Sequence, residues 1–136
     1  MALVTKFTTE AAMGLKRDVS LSTGLRYRGP AGYLTFILHR IGGVGMGIFI
    51  TLHILASFFG GSFGGVVNDI YENWAFQIFI FFCVLFHAIN GLRITILDLF
   101  PKLLDYQTEA IWVEWAVFIP LYGISVLVIL QTALGA

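Results

Sequence analysis

An all-α membrane protein with three spanning helices is the fold class this sequence predicts, and three observations lead there. The 136 residues are 58% hydrophobic and only 12% charged, too apolar for a soluble domain. The apolar residues gather into three stretches, 32–59, 74–100 and 112–134, each meeting the ~20-residue length a helix needs to cross hydrocarbon. All eight Lys and Arg residues (Lys6, Lys16, Arg17, Arg26, Arg28, Arg40, Arg93 and Lys102) fall in the N-terminal segment or around the connection between the second and third stretches. The positive-inside rule assigns both regions, and hence the N-terminus, to the cytoplasmic side. A net charge of zero thus conceals a strong sidedness.

Taken in order, residues 1–31 are polar and contain basic residues but lack the short apolar core and small-residue cleavage site of a signal peptide. They read as a retained cytoplasmic segment, and the lack of a targeting sequence favours a bacterial plasma membrane. Gly29-Pro30 marks the junction with the domain formed by residues 32–136. The loop from Gly60 to Asn73 carries Asp69 and Glu72 and no basic residue, as expected of the outer face. Pro101 ends the second span, because proline cannot supply the N–H a continuing helix needs. The third span offers only Glu114, Ser125 and Gln131 as polar groups of note, too few for a transport pathway. Cys83 is the only cysteine, which excludes an internal disulfide and reads as a small core residue. There is no internal repeat, nucleotide-binding glycine loop or nucleic-acid patch.

Ionisable residues inside the spans carry the functional signal, since they are costly in a bilayer. Neutral imidazole is a common iron ligand, and helix bundles hold haem by histidines projecting between helices. Three histidines are present: His39, His53 and His87. At 1.5 Å per residue, His39 lies roughly 7 Å and His53 roughly 28 Å from an inner end near Leu34, and His87 roughly 15 Å from one near Leu97. His53 and His87 then differ in depth by roughly 13 Å, too much for two axial ligands of one iron. His87 is expected to ligate a haem toward the cytoplasm and His53 a second toward the outside, each with its second ligand from another polypeptide. The alternative for His87 is a buried polar contact between helices.

Between His39 and His53, Gly42, Gly43, Gly45 and Gly47 strip side chains from one stretch of helix. They serve either helix packing through Gly43-x-x-x-Gly47 or close approach of a flat macrocycle. Cys83, Asn90, Gly91 and Asp98 share a face with His87 by helical spacing. Arg93 either snorkels to the interface or pairs with a haem propionate or Asp98. A quinone carbonyl needs hydrogen-bond donors at a water-accessible boundary, and Arg40, Thr35 and Tyr33 are the candidates.

Two linked motifs, His39-Arg40-Ile41-Gly42-Gly43 and His87-x-x-x-Gly91-x-Arg93 followed by Asp98, resemble the cytochrome b subunit of succinate dehydrogenase, the larger membrane anchor of respiratory complex II. Residues 26–100 carry the likeness. It implies half of a heterodimeric six-helix bundle, paired with a second membrane-anchor subunit and docking an iron-sulfur subunit and a flavoprotein subunit on the cytoplasmic side. It implies haem b on His87, quinone at Arg40, and His39 near the quinone or a propionate. The Tyr27-Arg28-Gly29-x-x-Gly32 approach and His53 resemble the branch whose paired anchors hold two haems. Gly42 stands where the family usually has Ser or Thr, Phe36 where many members have a quinone-binding serine, and Ile94 where some have a second histidine. Two other readings remain: the anchor of a quinol:fumarate reductase, and a haem-free structural anchor.

Overall fold

The computed structural model describes residues 31–135 together with Ser20, Ser22, Thr23 and Gly29. The basic residues from Lys6 to Arg28, and the Tyr27-Arg28 approach with them, lie outside the described residues. From Ala31 on, four α-helices follow one another: α1 (Ala31–Phe59), α2 (Gly61–Glu72), α3 (Trp74–Leu99) and α4 (Gln107–Leu134), with a short 3-10 turn over Pro101–Tyr106 before α4. Among the described residues there is no strand, and α1, α3 and α4 are each long and apolar enough to span a membrane. The expected all-α membrane architecture with three spans is what forms.

α1 runs until Gly60 and Gly61, both at φ 58°. This left-handed region suits glycine, and the pair reverses the chain. The segment expected to be a loop is instead the helix α2, which folds back on α1. Its Gly64 packs where an added Cβ would lie 3.0 Å from the Ala56 carbonyl, Val67 is buried, and the Tyr71 hydroxyl donates to the Phe49 carbonyl at 2.9 Å. Burial holds the Tyr71 phenol above its ordinary pKa, so it remains a donor.

Asn73 starts α3 by accepting the Ala75 and Phe76 amides on its side-chain oxygen, the usual service of an N-cap. The helix ends before Pro101. α4 begins at Gln107, five residues before the apolar stretch, because Gln107, Thr108 and Glu109 extend it into the interface.

Helix seams are unequal in character. α1 meets α3 backbone to backbone: a Cβ at Gly42 would stand 2.9 Å from the Cys83 carbonyl, and one at Gly45 2.8 Å from its Sγ. Small residues allow this approach, which in a bilayer replaces the hydrophobic drive with close contact. α3 meets α4 through rings instead, with Phe86 edge-on to Phe118 at 5.1 Å and Tyr122 donating to the Ile78 carbonyl at 3.2 Å. At most 22% of the apolar window of any span is buried within the chain. The remainder of each window is left unburied by the described residues.

Candidate functional site

The His39 and His87 side chains meet in the α1–α3 seam, although segment ends suggested levels several ångströms apart. Their rings stack with centroids 4.0 Å apart and planes 9° from parallel. The true helix ends explain little of this, since α1 starts three residues before Leu34 and α3 ends two after Leu97; the inner ends of the two helices are staggered. His87 Nδ1 lies 3.1 Å from the His39 carbonyl. A carbonyl can only accept, so Nδ1 carries the proton and the lone pair sits on Nε2. A second-shell hydrogen bond of this kind orients a metal-ligating imidazole and raises its basicity.

One face of the His87 ring is covered by His39 and one edge by Gly43, which leaves Nε2 as the nitrogen able to reach a metal. Gly43 leaves space that a Cβ would take at 3.0 Å from His87 Cε1, and Gly47, one turn on, meets nothing within 4 Å. Of the two sequence readings for the glycines, helix packing is the one Gly42, Gly43 and Gly45 serve, with Gly43 seating the His87 ring, while Gly47 meets nothing within 4 Å among the described residues. His87 could therefore hold a haem iron through Nε2.

His53 sits fourteen residues from His39 on the same helix, about 21 Å along the axis. With His39 level with His87, the two candidate iron ligands stand at separate levels. His53 is exposed, beside Phe49 (ring centroids 6.0 Å) and Tyr71 (5.9 Å), which lie 4.7 Å from each other. Tyr71 arrives from α2, so the helix that sequence reading took for a loop builds one wall of this site.

Toward the end of the bundle where α1 begins and α3 ends, Arg93 is neither snorkelled nor paired with Asp98. Its Nε lies 2.8 Å from Glu114 Oε2, with side chains 11% and 1% exposed. Nε and Nη2 also donate to Asn90 Oδ1 at 3.1 and 2.7 Å, and Nη2 to Thr35 Oγ1 at 3.5 Å. Asn90 closes the circuit on the Thr35 carbonyl at 3.4 Å. One cation, one carboxylate and two neutral side chains thus tie the three spans together. Among the described residues neither Glu114 oxygen has a hydrogen-bond partner of good geometry, so charge attraction to Arg93 rather than directed bonds holds the carboxylate. Sequence reading dismissed Glu114 as an isolated polar group; its signal was a depth matching that of Arg93.

Thr35, expected to offer a hydroxyl to quinone, is turned inward. It is fully buried, and its hydroxyl donates to the Gly32 carbonyl at 3.0 Å while facing Arg93. Arg40 and Tyr33 remain nearer the surface, and the Arg40 guanidinium lies 4.6 Å over the Phe36 ring. Phe36 thus supports the cation at a place where the resemblance led one to expect serine. A recess of about 280 Å³ opens beside His39, bounded by Phe36, Asn90, Arg93, Asp98 and Gln107. On the other flank of α1, an apolar groove of about 490 Å³ runs from Arg40 past Val44 and Ile48 to Leu52, with Tyr71 and Phe79 on its far wall.

Comparison with known proteins now bears on this geometry. Residues 13–130 match the succinate dehydrogenase/fumarate reductase transmembrane subunit family. The chain belongs to that family. Over 99 residues it is also 28% identical to the succinate dehydrogenase 2 membrane subunit SdhC of Mycobacterium tuberculosis (strain ATCC 25618 / H37Rv), covering 68% of this chain and 73% of that protein. A family of membrane subunits agrees with the three apolar helices and with the sequence resemblance.

Proposed function

We propose that this chain is the haem b anchor subunit of a succinate:quinone oxidoreductase, passing electrons from an iron-sulfur subunit to quinone. The observation that carries the reading is the His87 imidazole, its Nδ1 committed to the His39 carbonyl and its Nε2 free to coordinate. When bound, haem b supplies a one-electron store between the iron-sulfur clusters and quinone. His87 would hold the haem for this chain, and His53 would hold a second one. Both sites are halves, so a second membrane-anchor subunit must complete each. His39 and the Arg93 guanidinium would serve the haem propionates.

Quinone is the substrate at the cytoplasmic boundary. Arg40 donates to its carbonyl, Tyr33 lies on the same first turns of α1, and Thr35 contributes by steadying Arg93. The groove leading from Arg40 suits the quinone's apolar tail. No dicarboxylate chemistry resides on this chain; it belongs to a flavoprotein subunit joined through the iron-sulfur subunit. We favour succinate oxidation over fumarate reduction because the relative is named a succinate dehydrogenase subunit. The bacterial source of that relative also supports a bacterial plasma membrane location, with the N-terminus cytoplasmic.

Purified complex should show b-type Soret and α bands, and His87→Ala should remove those of the inner haem. Bands unchanged by that substitution would overturn the assignment and leave a haem-free structural anchor as the better account.

A further inference from the structure

α1 and α3 carry the same spacing, a histidine followed four residues later by glycine: His39 with Gly43, and His87 with Gly91. In the fold each glycine receives the other helix's ring. A Cβ at Gly43 would lie 3.0 Å from His87 Cε1 and 3.2 Å from its Nδ1, and a Cβ at Gly91 would lie 3.5 Å from His39 Cε1. The rings themselves stack at 4.0 Å between the two glycines. We propose that these paired segments form a reciprocal clasp in which the His39 ring and the bare Gly43 set the rotation of the His87 imidazole, making both positioning residues for the haem ligand.

The clasp is asymmetric in one respect. His87 Nδ1 reaches a carbonyl, whereas His39 Nδ1 is buried with no hydrogen-bond partner among the described residues. His39 is therefore held by its face rather than by its nitrogen, and its packing role needs a flat ring more than an imidazole. His87, held on its face, at one edge and at one nitrogen, has its plane fixed relative to α1. The plane and basicity of an axial imidazole govern the ligand field at iron, so a loosened clasp must appear in the spectrum of the metal.

This inference rests on the proposal that His87 binds haem, and one set of measurements separates the two. Electron paramagnetic resonance and potentiometric titration would be run on the whole wild-type complex and on Gly43→Ala, His39→Ala and His39→Phe. Gly43→Ala should push the His87 ring off the His39 carbonyl, shift the ferric low-spin gmax and raise the haem midpoint potential, because a weaker donor ligand favours ferrous iron. His39→Ala should shift gmax or lower haem occupancy, and His39→Phe, which restores a flat ring while keeping the same main-chain carbonyl, should bring both back toward wild type. If Gly43→Ala fails to assemble, the alanine and phenylalanine pair at position 39 still decides. Haem-loaded variants with unchanged gmax and potential would overturn the clasp, as would equal loss in His39→Ala and His39→Phe. A wild-type complex without haem bands would instead overturn the function on which the clasp depends.

Discussion

Replacing Glu114 with alanine leaves the Arg93 guanidinium in the seam of three helices with neutral partners only. Its side chain is 11% exposed and the lost carboxylate 1% exposed, so water cannot readily take over. Removing one member of a buried ion pair typically costs about 3–5 kcal/mol. Two hydrogen bonds to Asn90 and a long one to Thr35 survive, which argues for the lower end, about 3 kcal/mol, or roughly a hundredfold in the folded ratio. Titrating the detergent-solubilised complex with a denaturing detergent, with helix content and haem retention as signals, would measure it. Glu114→Gln should lose less, since it keeps an acceptor near Arg93. Arg93→Leu combined with Glu114→Leu should recover most of the loss, because removing both charges removes the desolvation problem. A loss below about 1 kcal/mol for Glu114→Ala, or a double variant as weak as the single one, would refute the claim that this pair joins the third span to the others.

His53→Ala should lower haem per complex from two to one while sparing the inner haem's spectrum; a wild-type stoichiometry of one would remove His53 from the ligand set. Arg40→Leu should cut quinone reduction about tenfold to a hundredfold, the worth of a charged hydrogen bond, while succinate oxidation with a soluble acceptor changes less than about twofold. Equal loss of both activities would mean a structural defect instead. At the α1–α3 seam, Gly45→Val should destabilise by about 1–3 kcal/mol through overpacking against Cys83, whereas Gly47→Ala, which meets nothing within 4 Å, should stay within about 0.5 kcal/mol. Thermal melts of the purified complex would compare them.

The spans were legible because membrane helices write themselves into composition: α1 and α3 begin and end within a residue or so of the apolar stretches. α2 was not, since twelve residues with three glycines and two acids resemble a loop. Its trace was the spacing of Gly64, Val67 and Tyr71, a face that packs only once Gly60 and Gly61 fold it onto α1, with Gly64 and Val67 buried there. The histidines announced themselves by chemistry, and their division into two levels survives. Their meeting did not follow from sequence, because depth counted along each helix ignores the stagger between helices. The same limit hid Glu114 from Arg93 and the inward turn of Thr35, since neighbours on different helices are chosen by rotation and crossing rather than by spacing.

Cys83 lies directly beneath α1, wholly buried, with its sulfur where a Gly45 side chain would be. As the single thiol of the chain, it can meet an alkylating reagent only when the first span lifts away from the second. Its labelling rate in the intact complex is thus a clock for that separation, readable in the natural sequence and without an introduced probe.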